Sequence, residues 1–105
     1  MVYVITNYTL KKAKDEDVIV KVSTNKLKKI DVFDKNGDKL ASVGAIRKNG
    51  IPYMDYPNYI KNIGLVKANK KRSAYLARHA HEKKTKIIKG RHRRTPSYYA
   101  DKLLW

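Results

Sequence analysis

Three histidines, nine acids and twenty-five bases are the groups with chemistry to offer in this 105-residue chain. His79 and His81 stand two apart, with His92 eleven residues on. Zinc takes three or four ligands at defined spacing, and residues two apart on a helix point away from each other. The pair is therefore not read as a metal site: His79 belongs to a packed stripe, and His81 and His92 to a basic surface. The absence of Cys removes thiolate ligands, disulfides and a cysteine nucleophile. No Gly-x-Ser-x-Gly, no phosphate-binding glycine loop and no His-Glu-x-x-His occurs. Asp34 and Asp38 flank a turn, and Asp15-Glu16-Asp17 reads as a solvated loop beside Lys11, Lys12 and Lys14. The expectation is a protein that is not an enzyme, with no cofactor, no metal and no small-molecule substrate.

The bases say more. The chain carries a net charge of +16 and an apolar content of 42%, enough for a modest core. A chain this short buries roughly two-thirds of its unfolded surface, so that core is marginal unless a partner adds to it. Residues 1–46 hold nine Lys and six acids, whereas residues 47–105 hold sixteen Lys+Arg and three acids. Within the second stretch, residues 67–94 carry twelve bases against Glu82 alone. Like charges at that density repel one another, so such a stretch faces water or a polyanion. The candidate polyanion- or partner-binding residues are Lys67, Lys70, Lys71, Arg72, Arg78, Lys83, Lys84, Lys86, Lys89, Arg91, Arg93 and Arg94. Arg72, Arg78, Arg91, Arg93 and Arg94 are the natural ligands for phosphate, being planar and bidentate. No paired-Cys finger and no heptad zipper accompanies them, so base-specific readout is unsupported. The expected partner is an acidic protein surface inside an assembly or, as the alternative, DNA or RNA bound without regard to sequence. At this charge density a merely solvated surface is the least favoured reading.

Eight tyrosines have two uses. A chain with one Phe and one Trp fills its core with Tyr, which is the reading for Tyr75 and for one of Tyr98 and Tyr99. Tyr is also enriched at interfaces. Tyr53 and Tyr56, in a turn-rich loop, and the terminal Trp105 are the aromatic interface candidates. Leu103, Leu104 and Trp105 are too apolar for a free tail and should be docked.

The elements that position these groups follow from period and turn signals. Val2-Tyr3-Val4-Ile5 is a β-prone run, and Val18, Val20 and Val22 share one face of a strand. Lys29–Asp34 and Lys39–Val43 read as a hairpin around Asn36-Gly37, a type I′ signature. That register sets Asp34 against Lys39, Phe33 against Leu40, Val32 against Ala41 and Ile30 against Val43. Residues 47–58 read as a loop, with Asn49-Gly50, Ile51-Pro52 and Tyr56-Pro57 as breakers. A short helix begins at Pro57 and stops at Gly64. A long basic helix runs from about Leu65 to Lys84, with Leu65, Ala68, Tyr75, Leu76 and His79 near one side. Residues 85–95 form a basic connector, and Ser97 caps a short helix from Tyr98 to Leu104. The fold class is α+β: a small antiparallel sheet in the N-terminal half, then a long basic helix and a short C-terminal one. The chain is taken as one small domain. Residues 1–46 form its sheet, residues 47–64 a loop and short helix, and residues 65–105 a basic helical region. No apolar run reaches the length of a membrane span, and no secretory signal is visible.

One set of segments is familiar in its order. It runs Lys29-Ile30-Asp31-Val32-Phe33, Ala41-Ser42-Val43-Gly44-Ala45, Asp55-Tyr56-Pro57-Asn58-Tyr59-Ile60 and Gly64, then Ala68-Asn69-Lys70-Lys71-Arg72-Ser73-Ala74-Tyr75 with Arg78-His79. It ends on Tyr98-Tyr99-Ala100-Asp101-Lys102-Leu103-Leu104-Trp105. Over residues 27–105 the chain resembles a family of small basic proteins, of unassigned function, in large double-stranded DNA viruses of algae and amoebae. It departs in residues 85–95, longer and more basic than the family pattern, and residues 47–53 look inserted. The resemblance brings no activity and no site residues. It implies a viral setting, in the virion and in the host cell interior during assembly. There the expected role is a minor capsid or cement protein bound to capsid proteins, with a genome-associated basic protein as the alternative.

Overall fold

Thr6 opens the first element. Its hydroxyl accepts from the Thr9 amide at 3.2 Å and caps helix α1, Asn7–Asp15. Lys12 and Lys14 fall in the last turn, where cations suit the helix dipole. The helix ends on a Schellman pattern. Val18 N donates to Ala13 O and Asp17 N to Lys14 O, with Asp17 at φ 57 in the place a glycine usually holds. Asp15 closes the helix and Glu16 and Asp17 form the turn after it, with Asp15 and Asp17 exposed as the solvated-loop reading had them. The structure, a computed structural model, describes residues 3–105 apart from the side chains of Ile88, Arg91 and His92. Val2 of the β-prone run lies outside the described residues, and Tyr3, Val4 and Ile5 are not in a strand.

The period-two run then forms β1 (Ile19–Val22), followed by β2 (Lys28–Phe33) and β3 (Lys39–Ala45), in an antiparallel sheet of order β1-β2-β3. Val20, Val32 and Ala41 lie in one cross-strand row, and Val22, Ile30 and Val43 in the next. Ile30, Val32, Ala41 and Val43 are buried, as are Tyr3, Ala13 and Val18 of the same unit. On the opposite face Asp31 is aligned with Lys21 and Ser42. It is buried, and the hydroxyls of Ser23 and Ser42 each donate to its Oδ1 at 2.6 Å. Lys39 stands 3.5 Å from Oδ2.

The hairpin is present, but its turn is not type I′. Gly37 N donates to Asp34 O and Asp34 N to Asp38 O, while only Gly37 of the turn has positive φ, at 89. The Asp34 carboxylate accepts from the amides of Asn36 and Asp38, both at 2.9 Å, and so stabilises a longer turn. The register therefore shifts by one at Val32/Phe33: Phe33 faces Lys39 rather than Leu40, whereas Val32–Ala41 and Ile30–Val43 pair as expected.

The chain divides into two compact units, Met1–Tyr53 and Met54–Trp105, so the break falls inside the stretch 47–58. Some of that stretch is ordered as a tight turn, closed by an Ile46–Pro52 bridge. In the second unit α2 (Tyr56–Ile63) packs with α3 (Leu65–His79), joined at Gly64, whose φ of 84 and ψ of 165 suit glycine alone. Helix α3 stops at His79, short of the expected Lys84, and Leu65 is 56% exposed rather than packed. The basic connector is a two-stranded ribbon, β4 (Thr85–Ile88) against β5 (Arg91–Arg94). Its Lys89-Gly90 loop has both φ values positive, 51 and 76, as a type I′ turn needs. Thr95, not Ser97, caps α4 (Pro96–Leu103), its hydroxyl accepting from the Tyr98 amide. Leu103, Leu104 and Trp105 are docked and buried, with Trp105 stacked on Tyr75 at 4.2 Å between ring centroids. Among the described residues no helix is long and apolar enough to cross a membrane.

Candidate polyanion-docking surface

The second unit holds fourteen Lys+Arg and three acids, Asp55, Glu82 and Asp101. What decides its electrostatics is where those acids go. Asp55 is fully buried at the start of α2, where its Oδ1 accepts from the Asn58 amide side chain at 2.8 Å. Glu82 Oε1 lies 2.8 Å from His79 Nδ1 and accepts from Ser97 Oγ at 2.7 Å. Those hydrogen bonds, Ser97 first, hold the Glu82 carboxyl below its ordinary pKa. Asp101 pairs with Lys84 at 2.7 Å, with its own side chain 17% exposed. All three negative groups are thus engaged within the unit.

Most of the bases are exposed. Lys67, Lys70, Lys71 and Arg78 are exposed along α3 at spacings of three, four and seven, away from the stripe Ala68, Arg72, Tyr75 and His79 that is buried or half-buried. Lys83 is exposed in the turn that follows, and Lys86, Lys89, Arg93 and Arg94 are exposed on the ribbon. The Arg91 side chain lies outside the described residues. Lys86 and Arg93 are directly paired across β4 and β5. Like charges facing each other on a ribbon destabilise it, and a two-stranded ribbon is weak to begin with. An anion lying along it would relieve that repulsion.

Two of the expected docking bases are turned inward. Lys84 Nζ donates to Ser97 Oγ at 2.6 Å and to His79 O at 3.2 Å, besides its ion pair with Asp101. This ties the end of α3, the start of β4 and α4 together. The short Lys84–Ser97 contact is not a base poised on a nucleophile, because the ammonium donates and the Ser97 proton goes to Glu82. Arg72 falls on the packed stripe, its guanidinium 5.1 Å from the Tyr56 ring centroid.

The aromatic candidates separate in the same way. Tyr56 and Trp105 are buried, and the Tyr56 hydroxyl donates to Asn69 at 2.6 Å, so both fill the unit instead of presenting an interface. Tyr53 is 49% exposed. Tyr99 is buried and Tyr75 half-buried, in keeping with their expected core roles. Sequence reasoning missed Lys102, which is exposed and reaches over the Tyr98 ring at 5.8 Å, opposite in sequence to Arg94 at 4.5 Å from the same ring. The Tyr98–Lys102 spacing of four on α4 was its signal. Among the described residues no group of three or more His, Asp or Glu could hold a metal.

Comparison with family models, with curated proteins and with solved structures finds no match to this chain.

Proposed function

We propose that this protein is a non-enzymatic structural component of a large DNA virus particle, a minor capsid or cement protein attached to capsid units through its basic second unit. The observation that carries the attachment is the segregation of charge: three acids engaged internally, with eight of the expected bases exposed on α3, the adjoining turn and the β4–β5 ribbon besides Lys67 at the start of α3. Lys67, Lys70, Lys71, Arg78, Lys83, Lys86, Lys89, Arg93 and Arg94 would meet carboxylates of the capsid protein. The viral setting rests on the resemblance of residues 27–105, and with it come the virion, and the host cell interior during assembly, as the protein's location.

Exposed aliphatics favour a protein partner over a nucleic acid. Ile87 is 67% exposed between the bases of the ribbon, and Val66 is 74% exposed beside Lys67. A phosphodiester backbone offers such groups nothing apolar, whereas an acidic protein face does. Sequence-indifferent nucleic-acid binding stands as the second reading, favoured by the exposed Arg93 and Arg94 of the ribbon, whose planar guanidinium groups suit phosphate. Titrating the protein with random-sequence duplex DNA and with poly-L-glutamate across a salt series separates the two. The capsid reading expects polyglutamate to bind and DNA to bind weakly with a shallow slope. A log–log slope near −5 or steeper on DNA would mean about six phosphates neutralised and would put the genome-bound reading first.

A further inference from the structure

The first unit contains two turns of one construction and opposite charge. Asp34-Lys35-Asn36-Gly37 and Arg47-Lys48-Asn49-Gly50 share their last three residues. In each, the glycine amide donates to the carbonyl of the first residue, at 3.1 Å for Gly37 and 2.8 Å for Gly50. The first residue's amide donates to the carbonyl beyond the turn, Asp34 to Asp38 at 2.9 Å and Arg47 to Ile51 at 3.0 Å. Both glycines have φ near the same value, 89 and 87.

The first position of such a turn favours Asp, Asn or Ser, whose side chain accepts from the amides that follow. Asp34 does this, but Arg47 has no acceptor to offer. Asn49 Oδ1 takes over some of the task by accepting from Ile51 N at 3.1 Å. Turn formation therefore does not account for an arginine at 47. Instead its guanidinium lies 4.2 Å from the Tyr53 ring centroid, and Nη1 donates to Pro52 O at 3.3 Å. An exposed charge held from two sides loses less freedom on binding than a free one. In the first turn Asp34 and Asp38 outweigh Lys35, which itself stands 3.4 Å from Asp17. The second has Arg47 and Lys48, and the sequence has no acid between Asp38 and Asp55. Ile51 and Tyr53, 47% and 49% exposed, stand beside those charges.

We propose that this turn is a second docking point for an acidic protein surface. Arg47 and Lys48 meet carboxylates, and Ile51 and Tyr53 meet apolar side chains next to them. The guanidinium fork suits a carboxylate bidentately. The inference rests on the reading of the protein as one that docks on acidic protein faces, and it extends that reading. Each unit then has its own point of attachment.

The test uses the full chain with two probes, poly-L-glutamate and a random copolymer of glutamate and tyrosine. R47Q/K48Q should weaken binding to both by about five- to tenfold, as the loss of two exposed ion pairs would. I51S, which leaves Tyr53 against Arg47, should weaken the copolymer and leave the homopolymer unchanged. If R47Q/K48Q loosens the turn by circular dichroism, K48E at the exposed tip gives the same readout. Unchanged binding by the tip variants, with K86Q/K89Q/R93Q/R94Q weakened, overturns the second point and leaves the docking reading standing. Failure of the unaltered protein to bind either polymer overturns the docking reading, and this inference with it. A larger loss on duplex DNA than on the polymers for R47Q/K48Q overturns the assignment to a protein partner.

Discussion

Lys84 and Lys86 are two residues apart and indistinguishable by charge, yet the structure gives them opposite roles. Lys84 Nζ makes hydrogen bonds to Ser97 Oγ and His79 O and an ion pair with Asp101. Asp101 Oδ1 is buried with no hydrogen-bond partner, so Lys84→Met would leave both carboxylate oxygens unsupported. Hydrogen bonds to a charged group contribute about 1.5–3 kcal/mol net each. The Lys84 and Asp101 side chains are 30% and 17% exposed, so solvent screens some of that. The expected loss for Lys84→Met is about 2–3 kcal/mol, a fall in melting temperature of roughly 10 °C or more for a domain this small. Lys86→Met should leave the melting temperature nearly unchanged and weaken polyglutamate binding. Calorimetry gives the first quantity, and amide exchange shows whether the loss is confined to residues 54–105. The cycle with Asp101→Asn should recover some of the loss, because the orphaned charge goes too. An unchanged melting temperature for Lys84→Met, together with weakened polyglutamate binding, would refute the reasoning and return Lys84 to the docking surface.

Other consequences are as direct. Trp105→Ala removes a buried ring stacked on Tyr75 and 5.9 Å from Tyr59, and should cost about 3–5 kcal/mol in chemical denaturation, with Trp105→Phe recovering some of it. Burial raises the Asp31 pKa, but the Ser23 and Ser42 hydroxyls, the Thr24 amide and Lys39 outweigh it, so the net shift is downward from 3.8. A depressed carboxyl stabilises the fold above its unfolded pKa, and this is lost as the pH falls through the lower folded value. Urea melts of Asp31→Asn should therefore lack a stability drop that the parent shows below about pH 4. Burial, then the Asp101 and Glu82 carboxylates, pushes the Tyr75 phenol up to about 12. Ultraviolet titration should show a late-ionising step that Tyr75→Phe removes. The associated stability is present below pH 10 and lost as the pH rises through about 12, since the unfolded phenol ionises first.

Local signals carried much of the fold. The alternation of Val18, Val20 and Val22, the pairing of Ile30 with Val43 and Val32 with Ala41, the Pro57 start and Gly64 stop of α2, and the docking of Leu103 to Trp105 were legible, because each rests on period, backbone restriction or the burial of large apolar groups. The helix α1 was within reach through Thr6 as a cap, but Val2 to Ile5 spoke for a strand and no glycine marked its end, Asp17 standing there instead. The ribbon had its own signal in Lys89-Gly90, a two-residue loop hidden by the surrounding charge. The turn at Asn36-Gly37 went astray because the Asp34 carboxylate, three residues before the glycine, selects a longer turn. Composition by itself determined that the second half is basic. Which bases face outward was decided only by tertiary structure, since a lysine's charge is the same wherever it stands, and its partner depends on what the fold brings within about 3 Å. Lys84 met Asp101 and Ser97 across thirteen or more residues of chain, and Lys86 met another base.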